Sequence, residues 1–352
     1  MNSPLVSVIT PVYNGAAYLS ECIESVLVQS HEHFEFIILD NCSTDASFTI
    51  AKKAAASDDR IKAVRCSEHV GIIQNWNRSL LSVDPGSDYI KFVHADDWLF
   101  PDCLTRMLDV AMSDKNIGLV SAYRLEEDRV SLDRLPTNAP LAPGDDRFTM
   151  DGREVARAIL RDKASVLGSP TAILIRSDLA RKGEQLFSED YLHADKEACL
   201  RLLQECDFGF VRQVLTFTRR HNESVTSLTN SLDTRRQENL LMLVQHGPQM
   251  LPDSDYAGAI SRELRAYYAF LARKVGTGAG ADFWASHRQV LRTTGYPFRL
   301  PKLLIAMLKR WMNPRQALKQ LIADRSIRDR DAGGAARKFL HSSRSGRQVR
   351  DE

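Results

Sequence analysis

The sequence lacks any long apolar run. No window of its 352 residues approaches the roughly 18 consecutive apolar residues that a membrane-spanning helix needs. A secretory leader would need a basic segment followed by an apolar core, and the apolar stretch from Leu5 to Val12 is too short for one and is typical of a strand. We therefore expect neither a membrane span nor an export signal.

Cysteines at metal-binding spacing are also missing. The six cysteines contain no CxxC pair and are scattered through apolar segments: Cys22, Cys42, Cys66, Cys103, Cys199 and Cys206. A zinc cluster or a disulfide framework is therefore not expected. A reducing cytoplasm is the predicted setting for this chain.

Charge is unevenly distributed along the chain. From Arg299 to the end there are 14 Lys and Arg against 5 Asp and Glu, a net of +9, and the preceding part has 33 against 40, a net of −7. The basic C-terminal region is expected to contact an anionic partner. Its apolar and basic segment from Leu300 to Met312 would either bind a membrane surface peripherally or pack against the rest of the chain. Because no recognised module accompanies the charge, no nucleic acid partner is expected.

The first 122 residues alternate between strand and helix patterns. Segments with helical spacing of apolar residues separate five short apolar runs, at 5–10, 34–39, 61–64, 89–93 and 117–122. This alternation predicts an α/β fold, with a mostly parallel sheet that is covered by helices on both faces. Later in the chain, 208–211 and 214–218 are predicted as two strands, and the chain is predicted to be helical from about Leu232.

Polar side chains follow three of these strands at the point where each strand ends. The first run leads into Pro11-Val12-Tyr13-Asn14, the second into Asp40-Asn41, and the fourth into His94-Ala95-Asp96-Asp97. Ligands of open parallel sheets bind outside the carboxyl ends of the strands. We therefore expect a binding site at this rim.

The pair Asp96-Asp97 is the strongest indication of chemistry. Two adjacent carboxylates are unfavourable unless a cation neutralises them, and Mg²⁺ or Mn²⁺ suits such hard oxygen ligands. The alternative is a helix N-terminus, where Asp is favoured by the helix dipole. Similarly, Asp40 would accept N–H groups of uracil or guanine, or would only cap a turn. Tyr13 would lie against a base or a ribose, or would only pack.

Four motifs in matching order and spacing resemble those of family 2 glycosyltransferases, over residues 4 to about 225. They are Val6 to Asn14 with Gln29-Ser30, Asp40 to Asp45, Gly71 to Asn77, and Phe92 to Asp97. The resemblance implies a GT-A fold, a nucleotide-diphosphate-sugar donor (UDP-, GDP- or dTDP-linked) and inversion at the anomeric carbon. It also implies donor-binding roles for Pro11, Val12, Tyr13, Asn14, Asp40, His94, Ala95 and Asp96, and a divalent cation held by Asp96 with Asp97 nearby.

Two residues depart from the family's usual pattern. His94 stands where the family often has Asp, so that the usual Asp-x-Asp becomes His-Ala-Asp. A histidine can hydrogen-bond a ribose or a phosphate, so we expect donor binding to survive. Trp76 stands where an Arg is common.

The catalytic base is expected further along the chain. By resemblance it is Asp195, which opens a helix and is followed two residues later by Glu197; the alternatives are Glu189-Asp190 and Glu197. Arg219 and His221 resemble an Arg-x-His that lies near the donor phosphates, although His221 would also suit a third metal ligand or a surface loop. The resemblance places Gly168 to Thr171 on the acceptor side.

The sequence therefore predicts a transferase domain at 1–225, with a donor-binding half (1–122) and an acceptor and catalytic half (123–225). A helical region (226–330) and a basic, frayed tail (331–352) follow. The predicted reaction moves a sugar to a hydroxyl of a glycan or glycolipid, in bacterial surface polysaccharide or lipopolysaccharide synthesis, in the cytoplasm at the inner face of the membrane. Two alternatives are a non-catalytic nucleotide-sugar-binding protein and a sugar-1-phosphate nucleotidylyltransferase. The Gly-rich, Arg-containing loop that the latter carries after its first strand is missing here.

Overall fold

The computed structural model of the chain describes residues 3–126, 129–131, 134–161, 164–191, 193–219 and 234–312. The chain divides into two compact units, Met1–Ile260 and Ser261–Glu352. The tail at 331–352 lies outside the described residues.

Ten strands among the described residues of the first unit form one sheet. They are β1 (Val6–Val12), β2 (Phe34–Asp40), β3 (Ile61–Arg65), β4 (Tyr89–Phe92), β5 (Trp98–Leu99), β6 (Ile117–Glu126), β7 (Arg129–Ser131), β8 (Arg147–Met150), β9 (Ile173–Arg176) and β10 (Asp207–Thr218). Their order is β3-β2-β1-β4-β9-β6-β10-β5, with β7 beside β6 and β8 beside β10. Strands β3, β2, β1 and β4 are parallel, as are β6 and β10, whereas β9 runs antiparallel to both of its neighbours.

The helices follow the strands along the chain. They are α1 (Leu19–Leu27), α2 (Ser47–Ala55), α3 (Ile72–Leu80), α4 (Cys103–Ala111), α5 (Gly152–Leu160), α6 (Ser177–Ala180), α7 (Ala194–Leu202), α8 (Arg235–Met250), α9 (Asp253–Lys274), α10 (Ala281–Thr293) and α11 (Leu300–Met312). Helix α1 buries Leu19, Cys22, Ile23 and Val26, which is the spacing of one helical face. The predicted α/β class, with a mostly parallel sheet and helices at the C-terminal end of the chain, is confirmed.

The central strands are buried along their whole length. All seven residues of β1 and all seven of β2 are buried, so neither strand alternates between buried and exposed residues. This is expected of a sheet that is covered on both faces. The register places Val12 opposite Asp40, and Ile9 opposite Phe92, so the carboxyl ends of β1, β2 and β4 lie at one rim.

The two strands predicted at 208–211 and 214–218 are instead one strand. Strand β10 pairs with β6 throughout, and register shifts on either side of Val214 absorb the interruption. A bulge of this kind keeps the ladder intact while it changes the local pattern of side chains, which is why the sequence suggested a break.

The second unit contains the end of α9 together with α10 and α11. Its core includes a buried hydrogen bond between the Tyr267 hydroxyl and His287 Nδ1, with 2.7 Å between the two atoms. Phe270 and Phe283 surround this pair. Within the described part of the chain, no helix has both the length and the hydropathy of a membrane span.

Gly152 allows a close backbone contact in the first unit. A Cβ at this position would lie 1.9 Å from the Cys206 carbonyl oxygen and 2.6 Å from that of Leu203. We predict that Gly152→Ala lowers the free energy of unfolding by about 1–3 kcal/mol, because backbone must move to admit the methyl group. Chemical denaturation checks this against Gly71→Ala, whose Cβ would meet nothing within 4 Å. Equal stability of the two variants would contradict the prediction.

Candidate functional site

Hydrogen bonds join the loops that follow β1 and β2. The Asn14 backbone N–H donates to Ser43 Oγ (2.9 Å), and the Thr44 N–H donates to Asn14 Oδ1 (2.8 Å). Asn14 has a positive φ of 51°, a conformation that asparagine tolerates better than most residues. Pro11 and Val12 are buried in β1, so they form the rim mainly through their backbone.

Asp40 ends β2 with a carboxylate that is fully buried. Its Oδ2 accepts a hydrogen bond from the Ser43 N–H (3.1 Å) and lies 3.4 Å from Arg65 Nε. Its Oδ1 is buried and has no hydrogen-bond partner in the described part of the chain. A buried acceptor without a partner costs about 1–3 kcal/mol. A ligand N–H at this position would recover that free energy.

An aromatic pair lies beside this rim. The rings of Tyr13 and His69 are 4.5 Å apart between centroids, and Tyr13 is 50% exposed. The Asn41 amide fixes the loop that carries His69, because it donates to the Val70 carbonyl (2.8 Å) and accepts from the Val70 N–H (3.0 Å). His69 is not among the residues predicted from the sequence, although it follows β3, the neighbour of β2 at the same rim.

The turn after β4 gathers three potential metal ligands. One ligand atom from each of His94, Asp96 and Asp97 lies within 4.8 Å of the other two. The Asp97 carboxylate is 2% exposed; its Oδ2 accepts from the Thr171 hydroxyl (2.6 Å) and its Oδ1 from the Arg219 backbone N–H (2.9 Å). Burial raises the pKa of Asp97 to about 6, and the charge of Asp96 adds to this, against the opposing effects of His94 and the two hydrogen bonds.

The two residues that depart from the usual family pattern contact each other. The rings of Trp76 and His94 are stacked, with 5.2 Å between centroids, and the edge of Phe187 meets Trp76 at the same distance. His94 Nε2 is buried and has no hydrogen-bond partner among the described residues. The stack therefore fixes the imidazole plane at the entrance to the carboxylate cluster.

Thr171 connects the cluster to the interior of the sheet. Besides donating to Asp97, its hydroxyl accepts the His94 backbone N–H (3.2 Å). Its carbonyl accepts from Nζ of Lys91 (2.6 Å), a fully buried residue whose pKa is lowered by burial. These contacts join Thr171 to the turn at 94–97. The acceptor-side role of Gly168 to Thr171 stays a prediction.

Arg219 is brought to the same cluster from the end of β10. Its Nε donates to the Asp96 carbonyl (3.1 Å), its Nη2 donates to Glu21 Oε2 (2.6 Å), and its guanidinium lies 4.3 Å from the Tyr18 ring centre. His221, the other half of the predicted Arg-x-His, lies outside the described residues.

The candidate bases have different surroundings. Asp195 lies in the first turn of α7 and is partly buried. Glu197 is buried 3.4 Å from both Arg201 Nε and His246 Nε2. Burial opposes its ionisation, but the interactions with His246 and Arg201 outweigh burial and lower the pKa of Glu197. Glu189 accepts from Gln74 (2.9 Å), and Asp190 is exposed. Glu197 is therefore held by polar contacts with two neighbouring side chains.

We predict that Thr171→Val destabilises the protein by about 1–3 kcal/mol, because the isosteric change removes the buried hydroxyl that donates to Asp97 Oδ2 and accepts from the His94 N–H. Thr171→Ser keeps the hydroxyl and is the matched control, with a smaller effect from its lost methyl group. Urea denaturation of both variants at neutral pH measures the difference. A Ser variant as unstable as the Val variant would show that the methyl group, rather than the hydrogen bonds, matters.

Comparison with known proteins gives the family. The model of the family described as "Glycosyl transferase family 2" matches residues 7–182, half of the chain. The putative teichuronic acid biosynthesis glycosyltransferase TuaG of Bacillus subtilis is 36% identical over 132 residues, which is 37% of this chain and 52% of TuaG. The chain thus spans about half the length of this relative.

Solved structures show the same fold. TarS residues 1–349 from S. aureus, in complex with UDP-GlcNAc, superpose with a TM-score of 0.61 at 14% identity, over 89% of this chain and 92% of TarS. The mannosyltransferase PcManGT from Pyrobaculum calidifontis, in complex with GDP-Man and Mn²⁺, gives 0.54 at 15% identity, over 92% and 85%. The four motifs, the family match and this architecture lead to one assignment: the chain belongs to glycosyl transferase family 2 and is a glycosyltransferase with a GT-A fold.

Proposed function

We propose that this enzyme transfers a sugar, with inversion, from a nucleotide-diphosphate sugar to a hydroxyl group of a glycan or glycolipid. The observation that carries the proposal is the pairing of two features at one rim. A buried carboxylate oxygen without a partner among the described residues, on Asp40, lies at the end of β2, and an acidic cluster follows β4 on the other side of β1. This spacing suits a ligand with a hydrogen-bonding base at one end and a diphosphate at the other.

The end of the rim at Asp40 has groups that suit the recognition of a nucleobase. Asp40 Oδ1 would accept the imide N–H of uracil or the ring and amino N–H groups of guanine, and Tyr13 with His69 offers an aromatic surface for the base or ribose. The solved structures of TarS with UDP-GlcNAc and of PcManGT with GDP-Man support either class of nucleotide.

The acidic cluster fits a divalent cation. Its donor set, two carboxylates and an imidazole, suits Mn²⁺ and Mg²⁺. Asp96 is the more accessible carboxylate, whereas Asp97 is buried and already accepts two hydrogen bonds, so Asp96 would be the main ligand with Asp97 behind it. A cation held there would neutralise the charge that develops on the departing diphosphate.

The transfer step requires a base on the face opposite the leaving group. The acceptor oxygen attacks the anomeric carbon as the bond to the diphosphate oxygen breaks, and the acceptor proton passes to the Asp195 carboxylate. Attack from the opposite face inverts the anomeric configuration. Arg219, and His221 after it, would face the diphosphate and favour its departure.

The cellular setting completes the proposal. All six cysteines are free, which supports a reducing cytoplasm. TuaG's name assigns it to teichuronic acid biosynthesis, and this supports a role in bacterial surface polysaccharide or lipopolysaccharide assembly. The basic C-terminal region would provide a peripheral contact with the inner face of the membrane, where a lipid-linked acceptor would be reached.

We predict that Asp96→Ala abolishes the Mn²⁺-dependent part of nucleotide binding, whereas Asp40→Asn weakens binding with or without Mn²⁺, because only the former residue would hold the ion. Thermal shift with UDP, GDP and dTDP, with and without Mn²⁺, measures both effects. Asp59→Asn, an exposed carboxylate outside the site, is the control. Unchanged Mn²⁺-dependent stabilisation of Asp96→Ala would refute the metal assignment.

We also predict that Asp195→Asn lowers the rate of transfer by about 10²–10⁴-fold, with donor affinity almost unchanged, since the amide keeps the shape but cannot accept the proton. Asp190→Asn, a few residues upstream, is the matched control and should stay mostly active. Steady-state kinetics with nucleotide affinity measured alongside decide between them. If Asp190→Asn is inactive and Asp195→Asn keeps its rate of transfer, Asp195 is not the catalytic base.

A further inference from the structure

The apolar side chains of α11 face outward. Six of them are more than half exposed: Leu300, Leu304, Ile305, Leu308, Trp311 and Met312. At about 100° per residue these six lie on one arc of about 140°. The opposite side of the helix packs against the rest of the second unit: Leu303 is buried there, and Arg310 Nη1 donates to the Ala272 carbonyl (3.2 Å).

This orientation is the reverse of that found in ordinary surface helices. Such helices turn their apolar stripe toward the core and their polar side toward water. Contiguous exposed apolar surface of this kind marks a site of interaction with a protein or a membrane. Trp311 is 79% exposed, the most exposed of the six, although an indole ring gains much from leaving water.

Charge indicates which partner fits this face. No Asp or Glu occurs from Arg299 to Met312, and the exposed Lys302 and Lys309 lie along one edge of the apolar arc. Apolar side chains with a Trp, bordered by lysines, are the composition of helices that lie in the interface of a membrane with anionic lipids. The net charge of +9 from Arg299 onward adds attraction to the same surface.

We infer that the apolar arc of α11 inserts into the headgroup region of an anionic phospholipid membrane, with Lys302 and Lys309 contacting lipid phosphates. A helix of 13 residues is about 20 Å long, so it would lie in the plane of the surface. The inference rests on the proposed function only in its purpose, which is to hold the transferase near a lipid-linked acceptor.

The experiment uses the full chain and vesicles of phosphatidylcholine with or without phosphatidylglycerol. We expect the protein to sediment with the anionic vesicles only. The double variant Leu304→Ser/Trp311→Ser should lose about tenfold or more in vesicle affinity. The reason is that two apolar side chains, whose transfer from water into the membrane favours binding, are replaced by polar ones. Leu81→Ser, which changes a residue that is 85% exposed in the first unit, is the matched control and should bind like the parent.

Two further measurements distinguish insertion of α11 from adsorption of the protein by charge alone. Lys302→Glu/Lys309→Glu should weaken binding at low salt and much less at high salt. The vesicle-induced blue shift of tryptophan emission should disappear in Trp311→Phe while sedimentation persists. The nucleotide-induced thermal shift should be unchanged in every variant, so a failure of the donor site would be recognised independently.

Several results would overturn the inference. Binding equal to phosphatidylcholine alone, or no binding by the parent, excludes an anionic lipid partner. Parent-like binding by Leu304→Ser/Trp311→Ser assigns the contact to other residues. If the parent is a dimer by light scattering and this double variant is a monomer, the arc is covered by a second copy of the chain.

Discussion

The buried carboxylate of Asp97 holds the site together. Burying a charge is costly unless it is compensated by hydrogen bonds, and here the Thr171 hydroxyl and the Arg219 backbone N–H supply them. These residues are 74 and 122 positions away from Asp97 along the chain. The need to satisfy one carboxylate therefore connects the turn after β4 with the start of β9 and the end of β10. The raised pKa of Asp97 shows that burial still disfavours the ionised form of this carboxylate.

At the rim, some residues are fixed in place by burial and hydrogen bonds, whereas others have a side-chain group without a partner or in contact with solvent. Pro11 and Val12 are buried in β1, and Asn14 joins the two loops by hydrogen bonds, whereas Asp40 Oδ1 has no hydrogen-bond partner among the described residues and Tyr13 is half exposed. The same division separates Asp97, enclosed by its donors, from Asp96 beside it. A few polar side chains at the carboxyl ends of buried strands agree with the general organisation of open α/β sheets.

Trp76 and His94, the two residues that depart from the usual family pattern, are in direct contact. A histidine in place of an acid removes a charge from the cluster, and the neighbouring indole holds its ring by stacking. An arginine at position 76 would instead add a cation beside a cluster that already contains His94 and Arg219.

The α/β class, the parallel strands and the rim at which Asp40 and residues 94–97 lie could all be predicted from the sequence. These features depend on local periodicity and on strand ends, which a single pass along the chain can detect. Only the folded chain shows that Thr171 supports Asp97, that His69 faces Tyr13, and that Glu197 is engaged with His246. The same holds for β10 as one bulged strand and for the outward direction of the apolar arc of α11. The physical reason is that burial and hydrogen-bond partners are set by segments far apart in sequence, and no local pattern encodes which of them will meet.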